Sequence, residues 1–125
     1  MSGKYLVLLA AEEGDWASAS PEERQRVMDA HDAFHRAVEE RAAMVAGEAL
    51  AESGEGRTLR HVDGEPVVTE GPYAEAVEQL GGFYLMEADS IDTVLDLCRL
   101  LPSSYAVEVR PVIQIEGYED TRDWE

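Results

Sequence analysis

Basic residues are scarce in this chain: 10 Lys and Arg stand against 27 Asp and Glu, for a formal net charge of −17 at pH 7. Nucleic acid is held by clustered cations that release counterions from phosphate, and the few cations here are scattered, so no nucleic-acid partner is expected and no anionic membrane surface either. Cysteine is almost missing. Cys98 stands alone, which rules out an internal disulfide, and its place on an apolar helical stretch reads as packing rather than chemistry. No run approaches the roughly 20 apolar residues of a bilayer span. The N-terminus shows no basic flank, apolar core and cleavage site of a secretory signal, so a cytoplasmic location is expected. The Gly-x-Gly-x-x-Gly, P-loop, Gly-x-Ser-x-Gly and Cys-x-x-Cys patterns are absent too, which removes support for nucleotide and acyl-enzyme chemistry.

What is present suits one folded domain. The 125 residues are 45% hydrophobic and 30% charged, enough apolar material for a core without staples. The surplus Asp and Glu reads as a solvated, self-repelling surface.

Lys4 to Ala11 is an apolar run of strand length with both alternating faces hydrophobic, which requires cover on both sides. A loop with Gly14 and Trp16 follows. Ser20-Pro21-Glu22-Glu23 then supplies an N-cap, a proline at the first helical position and the carboxylate of a capping box. Val27, Ala30, His31, Phe34, Val38, Arg41 and Val45 follow one helical face, so this helix packs on a sheet. Residues 44–50 read as a second strand. Arg57 to Val62 and Glu65 to Glu70 flank Asp63-Gly64, the pair that favours a tight hairpin. Gly71-Pro72 ends the hairpin, Tyr73 to Leu80 has the composition of a short helix or helical turn, and Gly81-Gly82 stops it. Phe83 to Ala88 is a further apolar strand. Asp89 or Ser90 caps a second helix, in which Ile91, Val94, Leu95, Cys98 and Leu101 repeat until Pro102. A last strand over Ala106 to Ile115 places Val107, Val109, Ile113 and Ile115 on one face and Glu108, Arg110 and Gln114 on the other.

The order is strand, helix, strand, inserted hairpin, strand, helix, strand. It predicts an α+β fold of the ferredoxin-like, split βαβ kind, with a domain over residues 1–115 and an acidic tail over 116–125. Both helices then lie on one sheet face. Tyr5 to Leu9 and Phe83 to Met86 leave the other face apolar as well, and a second copy of the chain is the simplest cover.

The run Glu70-Gly71-Pro72-Tyr73-Ala74-Glu75-Ala76-Val77-Glu78-Gln79-Leu80-Gly81-Gly82-Phe83-Tyr84-Leu85 resembles the signature of the DGPF-domain branch of YCII-related proteins. The Lys4-Tyr5 strand, the Ser-Pro-Glu-Glu helix start, Gly47-Glu48 and the closing Val107-Glu108-Val109-Arg110-Pro111-Val112 fall in the matching order. The resemblance implies a homodimeric α+β barrel in which two sheets pack face to face; it implies a fold more than an activity. The branch's Asp-Gly-Pro-Phe reads Glu-Gly-Pro-Tyr here, with a longer acid and a phenol.

Several residues are candidates for chemistry. His31 and His35 are four apart, a spacing that can serve one metal, but no further ligand pattern completes a site, and neither a metal nor a cofactor is expected. His31 can instead be a partly buried base turned toward the sheet, its tautomer held by a carboxylate such as Glu48 or Glu70. The plainer alternative is a core histidine bonded to a carbonyl. Glu70 and Glu78 can point into a cleft beside Tyr73, or can merely serve the local turn. Arg110 can hold an anionic group, or pair with Glu108 or Glu48. These assignments make His31 and Glu70 the catalytic candidates, with Glu48, Tyr73, Glu78 and Arg110 as binding residues. Two functional readings follow. One is a homodimer that binds a small organic molecule near its interface, with cofactor-free lyase or isomerase chemistry; the other is a non-catalytic accessory module that contacts a protein partner.

Overall fold

A computed structural model describes residues 3–117. Strand β1 (Gly3–Glu12) runs through the middle of a four-stranded antiparallel sheet with the order β2-β5-β1-β6. Its neighbours are β5 (Glu78–Ala88) and β6 (Ala106–Pro111), and β2 (Ala43–Ala49) forms the far edge. A separate two-stranded ribbon, β3 (Arg57–Val62) and β4 (Glu65–Glu70), lies between β2 and β5 in sequence. Without that ribbon the strand order is that of the split βαβ arrangement, and the expected α+β class holds.

The ends of the main helix follow from its sequence. In α2 (Pro21–Arg41) the Ser20 hydroxyl accepts from the Glu23 N–H at 3.1 Å, and the Glu23 carboxylate accepts from the Ser20 N–H at 2.9 Å. Two otherwise unpaired donors are thereby satisfied. The short helix α3 (Ile91–Cys98) is capped by Ser90, which accepts from the Thr93 N–H at 3.2 Å. Leu100 and Leu101 continue past it in a tighter turn, and Pro102 ends the segment. At the hairpin tip Asp63 and Gly64 have φ values of 52° and 83°, the two positive values that a mirror-image turn demands.

Both helices pack on one face of the sheet. Phe34 and Val38 from α2, Val94 and Leu97 from α3, and Val7 and Met86 from the sheet are the six largest fully buried side chains, each contributing about 1.5–3 kcal/mol by leaving water. The opposite face carries two rows set by strand register: Glu48, Phe83, Leu8, Glu108, and Ala46, Leu85, Leu6, Arg110. Its middle is apolar, and Glu48, Glu108 and Arg110 put charge at its edges.

Four expectations need correction. Tyr73 to Leu80 forms no helix; β5 starts at Glu78 and passes through Gly81-Gly82. Gly82 has no room for a side chain, since a Cβ there would sit 3.0 Å from the Glu48 carbonyl oxygen, and β1 shifts register between Leu9 and Ala10. Glycine here marks a bulge and a close backbone approach, not a stop. The loop after β1 holds one helical turn, α1 (Asp15–Ser18). It is tied down by Arg24, whose guanidinium donates to the Trp16 and Ala17 carbonyls and lies 5.1 Å over the Trp16 ring. Finally, β6 ends at Pro111, so Ile113 is 75% exposed instead of continuing the valine face. Of the expected acidic tail, residues 118–125 lie outside the described residues.

Candidate active site

His31 lies midway along α2 between Val27 and Phe34, on the side that faces the sheet. Tyr84 rises from β5 toward it, because alternation along the strand sends Tyr84 and Met86 to the helix side and Phe83 and Leu85 to the other. Tyr105 stands just ahead of β6, placed by a turn in which its N–H bonds to the Pro102 carbonyl at 3.1 Å. The three meet: the His31 Nδ1 lies 2.6 Å from the Tyr84 hydroxyl, and Nε2 lies 2.9 Å from the Tyr105 hydroxyl.

A neutral imidazole has one N–H donor and one bare nitrogen. One tyrosine therefore donates to the ring while the other accepts from it, and either may take either part. Burial, with the neighbouring His35, lowers the His31 pKa below the ordinary 6.5, Asp32 acting the other way. Burial raises the pKa of Tyr84, aided by Tyr105 and Asp32, and burial likewise raises that of Tyr105. All three groups are thus uncharged near neutrality.

The ring positions are fixed by close packing. Tyr84 lies 4.9 Å from the Phe34 ring centroid, and His35 meets it edge-on at 5.2 Å. On its other side the Tyr84 ring covers Gly47, where a Cβ would come within 2.5 Å of the tyrosine Cδ1. Only glycine leaves this space.

A cleft of about 1080 Å³ opens over the group, lined by His31, His35, Tyr84 and Tyr105, with Trp16 and Met28 at its mouth. Glu12, Glu13, Asp15, Glu23, Glu52 and Glu55 also border it, and among the described residues no Lys or Arg does. Glu13 spans part of the rim, accepting from the Ser53 backbone N–H at 2.5 Å and from its hydroxyl at 2.6 Å.

The residues singled out from sequence are distributed over two clefts, with Glu70 in neither. His31 is half-buried and turned to the sheet, as expected, but its partners are tyrosine hydroxyls and not Glu48 or Glu70. Glu48 borders the His31 cleft from the edge strand, while its register partner Phe83 shows that it belongs to the open sheet face. Tyr73, Glu78 and Arg110 line a second cleft of about 800 Å³, between that open face and the hairpin. There Arg110 pairs with Glu108, on its own strand. Glu70 is exposed opposite Arg57 at the end of the ribbon and lines neither cleft. Sequence reasoning missed Tyr84 and Tyr105. Strand alternation from Met86 gives the side on which Tyr84 lies; nothing local marks Tyr105.

The match to known proteins spans the whole of this apparatus. The model of the YCII-related domain matches residues 4–116. The chain belongs to the YCII-related family. An uncharacterized protein of Rhizobium meliloti (strain 1021) is 39% identical to this YCII-related chain over 112 residues, covering 86% of it and 90% of the relative. Among the described residues no helix is long and apolar enough to cross a membrane.

Proposed function

We propose that this YCII-related protein is a homodimer that binds a small organic molecule in the His31 cleft and transfers protons on it without a cofactor, in lyase or isomerase chemistry. One observation carries the reading: an uncharged histidine is held between two tyrosine hydroxyls in the wall of a cleft large enough for a metabolite. A histidine with a merely structural role needs one bond to a carbonyl; this one has two partners that can both give and take a proton.

Two features support pairing of copies. The open sheet face has Leu6, Leu8, Phe83 and Leu85 at its centre and Glu48, Glu108 and Arg110 at its edges, the apolar-centre, polar-rim pattern of interfaces. The hairpin is a lone two-stranded ribbon with Leu59 57% and Val68 58% exposed, and such a ribbon is marginal without further contacts. Tyr73, Glu78 and Arg110 are assigned to this second cleft, which a partner copy would close. Ala10, Leu50, Glu52, Gln79 and Leu80 line both clefts, so the ligand site adjoins the pairing surface. Glu70-Gly71-Pro72-Tyr73 supports placement in the DGPF branch, and the lone cysteine a cytoplasmic setting.

The exposed hairpin also favours a second reading, an accessory module that binds a protein partner through the ribbon. NMR titration with a panel of small carbonyl compounds separates the two. Shifts at His31, Tyr84 and Tyr105 are expected; shifts confined to the hairpin, or none, would remove the cleft from the function. Sedimentation at micromolar concentration should show twice the 13.8 kDa chain mass, and a monomer as the sole species would exclude pairing.

A further inference from the structure

We propose that Tyr84, His31 and Tyr105 act as a single neutral proton relay, which takes a proton from carbon at Tyr105 and delivers one to a carbonyl oxygen at Tyr84. The inference rests on the acid–base reading above and names its residues and substrate class. The ring bonds at 2.6 Å and 2.9 Å put one hydroxyl on each imidazole nitrogen. When Nδ1 carries the proton, it donates to Tyr84, whose own hydroxyl hydrogen is then free for a ligand. At the same moment Tyr105 donates to bare Nε2 and keeps a lone pair free. One end is an acid and the other a base. A change of tautomer exchanges the roles.

The step balances without ions. A C–H proton beside the carbonyl passes to the Tyr105 oxygen, and the Tyr105 hydrogen passes to Nε2. The Nδ1 hydrogen passes to the Tyr84 oxygen, and the Tyr84 hydrogen passes to the carbonyl oxygen. The C–H electron pair becomes the C=C bond of an enol. Reversal with reprotonation at a conjugated carbon restores the starting tautomer and leaves the double bond shifted. No oxidant or reductant is consumed.

Two further observations fit this assignment. A weakly basic, half-buried imidazole is poorly suited to becoming a cation, and the relay never makes it one. Tyr84 is only 8% exposed, so it meets the narrow end of a ligand, a carbonyl oxygen, while the more open Tyr105 faces carbon. The substrate class is an uncharged carbonyl compound: an anion would find carboxylates and, among the described lining residues, no Lys or Arg.

The test uses cyclohex-3-enone, an uncharged β,γ-unsaturated ketone whose conversion to the conjugated isomer is followed by ultraviolet absorbance. Wild-type protein should accelerate it, and Tyr84→Phe and Tyr105→Phe should each lower the rate on the order of 100-fold. The double variant should be no slower than either single one, because a chain cut once is already cut. In the wild type without ligand, ¹⁵N shifts of both His31 ring nitrogens should lie between the protonated and bare values, and each tyrosine variant should move them apart. Wild-type rates in both tyrosine variants with a silent His31→Gln overturn the relay and leave His31 as a lone base. A wild-type ring fixed with its proton on Nε2 also overturns it. No acceleration by the wild type overturns the relay and the acid–base reading together.

Discussion

Gly47 matters for what it leaves out. The Tyr84 ring occupies the place a side chain would take, so Gly47→Ala should push the ring off His31 and cost about 1–3 kcal/mol of overpacking strain. A lowered urea midpoint together with loss of the His31–Tyr84 contact in NMR spectra checks this; an unchanged midpoint would show that the ring has room to move. His31 itself couples stability to pH. Its pKa is depressed by burial below 6.5, so the unfolded chain binds a proton more readily than the folded one. The associated stability is complete above about pH 6.5 and is lost as pH falls through the lowered native value. Urea midpoints measured across pH 5 to 8 should show a decline on the acid side that shrinks in His31→Gln. Cys98 runs the other way: burial pushes its thiol up to about 11, so iodoacetamide at pH 8 should label it slowly in the native protein and quickly in urea. Equal labelling rates in the two states would contradict that burial.

Among the elements, α2 is the one whose start, register and working face are readable from its own sequence; its end is not, since no glycine marks it and Val45, which follows the same face, stands in β2. The proline of α2, its capping residues and the recurrence of Val27, His31, Phe34 and Val38 are local signals, and tertiary packing agrees with them. Ser20→Ala should therefore destabilise the protein by about 1 kcal/mol, seen as a lower thermal midpoint. Strand β5 is the opposite case. Its first three residues lie before Gly81-Gly82 and read as a helix cut short, because the reason for Gly82 is on another strand: the Glu48 carbonyl approaches it. The hairpin was legible down to its turn, where two positive φ values leave little choice of sequence. One of the three residues of the candidate site is legible in the same sense. His31 follows from the periodicity of its own helix, whereas the partnership with Tyr84 and Tyr105 joins residues 53 and 74 positions away, a contact no window of sequence contains. A carboxylate or a backbone carbonyl is the partner expected from sequence; the fold brings two phenols instead.

For the whole molecule the topology separates two structures that the chain order interleaves. The four-stranded sheet closes through β2 against β5 without the ribbon, since those strands pair directly from Ala43 to Ala49. Residues 57–70 are an excursion from one side of that pair. The His31 group draws on α2, on β5 and on the turn before β6, and takes nothing from the excursion. A shortened protein lacking the ribbon, and His61 with it, should retain the His31 resonances of the full chain; a shift in them would show that the arm reaches the site. An arm that shares no hydrogen bond with the His31 group can be lengthened or trimmed without touching the contacts that hold the imidazole in place.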